Sequence, residues 1–116
     1  MRGGEKLLLA SFLACLVSCA ASSPSLMPER RGGLVHFQIE APGATRVTLV
    51  GSFNEWNPAA NPMSTRDGRL WEAAVALGSG RHVYAFLVDD RPCTPPSAPL
   101  YEDDGFGGRN GVIEVP

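Results

Sequence analysis

Lysine is almost missing from this chain: Lys6 is its one lysine, and every other cation is an arginine. Basic residues total 10 against 12 acidic ones, and Arg46, Arg66, Arg69, Arg81, Arg91 and Arg109 alternate with carboxylates instead of clustering. A nucleic-acid partner needs a basic stripe to follow the phosphates, so that class is excluded. Histidine is scarce as well, and His36 and His82 fall inside strand-like runs with no cysteine or carboxylate at metal-ligand spacing. No metal and no other cofactor is therefore expected. Cysteine is limited to Cys15, Cys19 and Cys93. The first two lie in or at the edge of an apolar leader, so an internal disulfide is not expected and the domain must hold together through its core. Apolar residues never recur at helical period for longer than a turn, which excludes a helical bundle.

The leader is read from Arg2 and Lys6, a positive start, followed by the apolar run Leu7 to Val17. A run of this length falls short of the roughly 20 apolar residues that span a bilayer as a helix. Residues 1–18 are thus expected to be a signal peptide. Leu16-Val17-Ser18-Cys19 resembles the lipobox of bacterial lipoproteins, which makes Cys19 the expected lipidation site and the membrane a partner through that lipid. By the same resemblance to lipoproteins, the absence of an aspartate after Cys19 implies the outer membrane as the expected destination in a cell envelope that has one. Cleavage after Ala20, giving a soluble periplasmic or secreted protein, stays open, because Ser18 and Ala20 also satisfy the small-x-small rule. Residues 19–33, rich in Ser, Pro, Gly and charge, read as a flexible tether.

Residues 34–116 form one small domain. Leu34 to Glu40 alternates as a strand and Ala41-Pro42-Gly43-Ala44 turns it, with Arg46 to Gly51 as the next strand. Leu70 to Leu77 and His82 to Val88 follow, joined by Gly78-Ser79-Gly80 in what reads as a tight hairpin, and Gly111 to Val115 is the last strand. Trp71, Ala73, Val75 and Leu77 share one face. The class is all-β, a sandwich of two sheets. Asp89 to Asn110, with its prolines, glycines and the acidic run Glu102-Asp103-Asp104, reads as a long loop region containing one short strand at most.

No catalytic constellation emerges, and the protein is not expected to be an enzyme. Glycoside hydrolysis needs two carboxylates across a cleft, whereas Asp89-Asp90 and Asp103-Asp104 sit where turns and loops place aspartates for their own backbone. No serine occupies a nucleophile-elbow pattern. "GFGGRNG", Gly105 to Gly111, misses the Gly-x-Gly-x-x-Gly spacing and precedes no helix, which removes the phosphate-binding reading.

The two tryptophans separate. Trp71 alternates with apolar neighbours and is expected in the core. Trp56 alternates with nothing; it lies in "GSFNEWNP", just past a strand and among Asn54, Glu55 and Asn57. A flat ring bordered by amide and carboxylate groups suits a sugar, covering its C–H face while polar neighbours bond its hydroxyls. A ring that packs under the turn is the alternative.

In order along the chain, "VTLVGSFNEWNP", "DGRLWEAAVAL", "GRHVYAFLVDD" and "DDGFGGRNGVIEV" resemble the carbohydrate-binding module of family 48. That group includes the glycogen-binding domain of the AMP-activated protein kinase β subunit and isoamylase-type early-set domains. The resemblance runs from Leu34 to Val115. It implies an immunoglobulin-like (early-set) β-sandwich that binds α-1,4-glucan without catalysis. Trp56 would stack on glucose, Phe106 would reach into the glucan turn, and Asn110 would bond hydroxyls, with Asn54 and Glu55 as supports. The chain departs from the pattern at three places: Pro92 stands where a second platform tryptophan is expected, Ala85 where a lysine is, and Gly108 where a threonine is. Proline can still pack on a sugar face, so Pro92 stays in the expected set. Two partners follow as expectations: an α-glucan, or an envelope protein for which the sandwich serves as an adaptor.

Overall fold

A computed structural model describes residues 26–116; the expected signal peptide and Cys19 lie outside the described residues. The fold is an all-β, immunoglobulin-like sandwich of two antiparallel sheets, made from strands β1 Glu29–Arg31, β2 Leu34–Glu40, β3 Val47–Gly51, β4 Ser64–Thr65, β5 Leu70–Val75, β6 Gly80–Val88, β7 Arg91–Cys93, β8 Leu100–Asp103 and β9 Arg109–Val115. One sheet has the order β1-β2-β5-β4 and the other β3-β6-β9-β8, with β7 also paired to β6.

Period-two patterning produces these layers. In β2, Val35, Phe37 and Ile39 are buried while their neighbours are not, and the register sets them opposite Val75, Ala73 and Trp71 of β5. The facing sheet contributes Val47, Leu49, Tyr84, Phe86, Ile113 and Val115 to the same core. Phe37 meets Tyr84 across the two layers edge-to-face, with ring centroids 4.9 Å apart. Trp71 is buried as expected, and its indole Nε1–H donates to the Ala41 carbonyl at 3.1 Å. That bond satisfies the single polar atom the ring takes inside.

Three features differ from the sequence reading. Gly78-Ser79-Gly80 does not close a hairpin: β5 pairs with β2 and β4, whereas β6 pairs with β3, β7 and β9. The glycines permit a sharp reversal, but the apolar faces on either side belong to opposite layers, so the turn carries the chain from one sheet to the other. The region from Asp89 to Asn110 holds two short strands, β7 and β8, not one at most. A two-residue turn at Asp89-Asp90, both at positive φ (50° and 67°), folds β7 back on β6. Both residues with φ > 0 is the mirror-type hairpin turn that aspartate tolerates. Finally, paired backbone begins at Glu29, ahead of the boundary expected at Leu34, as Glu29–Arg31 pairs with Leu34–His36.

Candidate functional site

The GSFNEW segment is a knot of backbone bonds with a ring projecting from it. At Gly51 any Cβ would stand 2.5 Å from the Val83 carbonyl oxygen and 2.6 Å from the Phe53 ring, so only glycine lets the chain pass. Ser52–Asn54 make one 3-10 turn, whose Phe53 ring lies 6.2 Å from Phe37 and caps the end of the core. Asn54 ties the turn shut: its Oδ1 accepts from the Gly51 N–H at 3.0 Å, and its Nδ2 donates to the Leu49 carbonyl at 3.1 Å and to Asn61 Oδ1 at 2.7 Å. The Trp56 N–H donates to the Gly51 carbonyl at 2.9 Å. Glu55 and Trp56 sit at φ 58° and 56°, a left-handed conformation that side-chain-bearing residues adopt at a cost. This turn leaves Trp56 41% exposed. The ring is not packed under the turn; Phe53 fills that role.

A second loop faces it. The Asp104 Oδ1 accepts from the Phe106 N–H at 2.7 Å and the Gly108 N–H at 3.0 Å, and the Asp104 N–H returns a bond to the Gly108 carbonyl at 3.1 Å. Gly105 and Gly107, at φ 85° and 92°, allow the loop to close. At its tip Phe106 is 94% exposed, a placement with no benefit to the fold.

Between these two rings runs a groove of about 710 Å³. Its floor is the outer face of β3 and β6, where Val50 pairs with Ala85 and Leu87 with Pro92. Trp56, Pro58, Pro92, Thr94, Asp104, Phe106, Gly108 and Asn110 are among the residues of its walls. The volume falls in the range of small-ligand sites, with few polar groups on a mostly apolar wall.

The structure therefore brings together Trp56, Pro92, Phe106 and Asn110. Asn54 and Glu55 do not line the groove: the amide of Asn54 is consumed inside the turn, and Glu55 occupies the left-handed corner that aims Trp56. Their composition looked like sugar-bonding polarity because turn-building and sugar-binding use the same amides and carboxylates. Sequence reasoning missed Thr94 and gave Asp104 only a loop role. Thr94 sits beside Pro95 in a proline-rich stretch and carries no signal of its own. Cys93, with its thiol pushed up by burial, contributes to the wall as a small packed residue.

Comparison with known proteins gives a consistent picture. A family model for carbohydrate-binding module 48 (isoamylase N-terminal domain) matches residues 25–96. A 1,4-alpha-glucan branching enzyme of Xanthomonas campestris pv. campestris is 42% identical over 59 residues, covering 48% of this chain and 8% of that enzyme. One from Lactobacillus acidophilus is 40% identical over 52 residues, covering 45% of this chain and 8% of the enzyme. One from Burkholderia cenocepacia is 33% identical over 86 residues, covering 72% of this chain and 11% of the enzyme. The chain thus spans a small fraction of the length of the relatives it matches.

Proposed function

Because the chain belongs to the carbohydrate-binding module 48 family, we propose that it binds α-1,4-glucan, as a non-catalytic module, in the groove between Trp56 and Phe106. One observation carries this reading: two aromatic rings, 41% and 94% exposed, border the same groove of about 710 Å³. A folded domain hides such rings unless something else covers them. Trp56 is the stacking platform, Phe106 reaches over the chain, and Asn110 bonds hydroxyls. Pro92 lies on the floor, where it offers packing but no extended π face. With that second platform reduced, affinity is weak, with Kd of roughly 0.1 to a few mM.

Retardation of the wild-type protein in native gels containing glycogen, lost in Trp56→Ala, is the test. A wild-type protein that migrates freely at high glycogen would sink the glucan reading and leave the groove to an envelope protein. We further propose that the module is held at a membrane through lipid on Cys19. The run Leu16-Val17-Ser18-Cys19 supports this, since several acyl chains on one residue anchor firmly where one does not. Wild-type protein should enter a detergent phase and Cys19→Ser should not; wild-type protein wholly in the aqueous phase would overturn anchoring and favour cleavage after Ala20.

A further inference from the structure

Gly108 lacks the side chain that would bond a sugar hydroxyl from this corner of the groove, and two other residues stand in its place. A Cβ built at Gly108 would lie 2.7 Å from Asp104 Oδ2 and 3.7 Å from Thr94 Oγ1. No side chain fits there while the carboxylate stays. All three residues line the groove, although they come from different segments: Thr94 just after β7, Asp104 just after β8, Gly108 just before β9.

The two oxygens of Asp104 divide their work. Oδ1 takes both N–H bonds that hold the Phe106 loop, at 2.7 and 3.0 Å, and Oδ2 has no part in either. It occupies the space next to Gly108, and among the described residues it accepts no hydrogen bond. Thr94 Oγ1 accepts a long bond of 3.4 Å from the Arg109 N–H, and among the described residues its own hydroxyl proton has no acceptor and can donate. An acceptor and a donor side by side match a sugar's adjacent hydroxyls, each of which gives and takes one hydrogen bond. Arg109, the other charged residue of the lining, has its guanidinium 4.3 Å over the Tyr101 ring, and Tyr101 is not a groove residue.

We propose that Asp104 and Thr94 are the hydroxyl-bonding pair of the groove, and that the Asp104 carboxylate makes the site selective for neutral α-glucan over glucan carrying phosphate esters. The proposal rests on the glucan reading above. A carboxylate accepts strongly from a sugar O–H but repels an anionic substituent placed at the same corner.

Asp104→Asn separates the two roles of the residue, because an asparagine Oδ1 still accepts the Phe106 and Gly108 N–H bonds while an amide replaces Oδ2. Binding is read by gel retardation in glycogen and by titration with maltoheptaose and with maltoheptaose bearing a 6-phosphate. Asp104→Asn should weaken maltoheptaose binding by about 10-fold, since a bond to a charged acceptor is lost, and Thr94→Val by about 3-fold. Wild-type protein should prefer the neutral sugar, and in Asp104→Asn that preference should shrink toward parity. If both variants bind like wild type while Trp56→Ala does not bind, the pair is refuted and the glucan reading stands. If Asp104→Asn loses affinity with its preference unchanged, the carboxylate only holds the loop, and the proposal fails. A wild-type protein that binds neither sugar overturns both readings.

Discussion

Replacing Trp56 by alanine removes a platform whose worth follows from its exposure. A tryptophan presents up to about 250 Å², of which 41% is open at this position. A sugar face can therefore hide about 100 Å² of ring, worth on the order of 2.5 kcal/mol at about 25 cal/mol/Å², or nearly two decades in Kd. A millimolar site weakened that far gives no retardation in a glycogen gel. Fold and binding separate here. Trp56 lies at φ 56°, so Trp56→Gly relieves about 1–2 kcal/mol of left-handed strain and should melt no lower than wild type while also losing glycogen. The chain has 2 tryptophans and the other, Trp71, is buried, so intrinsic fluorescence of wild type should respond to maltoheptaose and that of Trp56→Ala should not. Undiminished retardation of a folded Trp56→Ala protein would refute the platform argument outright.

Other perturbations probe the scaffold. Trp71→Ala should cost about 3–5 kcal/mol in urea unfolding, and Trp71→Phe less, because most of the ring's volume stays while the bond to the Ala41 carbonyl and part of the packing go; equal losses would mean the cavity is not the cause. Gly51→Ala should lower stability by about 1–3 kcal/mol or more, since its Cβ meets the Val83 carbonyl at 2.5 Å; an unchanged Tm would show that the turn can relax. Asp67 accepts from the Leu70 and Arg69 N–H groups, which hold its carboxyl below the ordinary value of 3.8. With its folded value depressed, its contribution is complete above the ordinary carboxylate range and is lost as pH falls through that lower value. Amide-exchange protection of Arg69 and Leu70, followed through acid titration, should therefore fade only below the range of free aspartates, and an earlier loss would contradict the bonds.

The strands were legible where one face is buried and the other is not. Leu34–Glu40 matches its expected bounds because Val35, Phe37 and Ile39 alternate cleanly. Short edge elements were illegible: β4, β7 and β8 bury little, so nothing in their composition distinguishes them from loop. Pairing across Gly78-Ser79-Gly80 was misread because a glycine turn encodes the reversal and not the layer to which the next strand belongs. At the site, Trp56 could be picked out as an apolar ring without a core period, whereas Phe106 was reached only through the family resemblance. Asn54 and Glu55 could not be assigned, because their residue types suit a turn and a ligand equally. The convergence of Thr94 and Asp104 on Gly108 joins residues from three segments, and no local pattern carries such a meeting.

The two walls of the groove are held differently, and this bears on where binding free energy is lost. Trp56 stands on a turn closed by three bonds of one asparagine and by its own N–H, so its orientation is fixed before any ligand arrives. Strain at Glu55 and Trp56 is already met by the fold, which is what preorganisation requires. Phe106 rises between two glycines on a loop closed by one carboxylate oxygen and one backbone bond, with no bond from its own side chain among the described residues. Ordering such a side chain costs about 0.5–1.5 kcal/mol on binding, so its contact surface returns less than its 94% exposure suggests. On the proposed reading, the fixed ring sets whether a glucan binds at all, and the Phe106 ring on its glycine-flanked loop modulates how well. On the proposed reading the carboxylate of Asp104 carries more weight than its place in a loop implies, because the same group closes the Phe106 loop and would present a hydrogen-bond acceptor to the ligand.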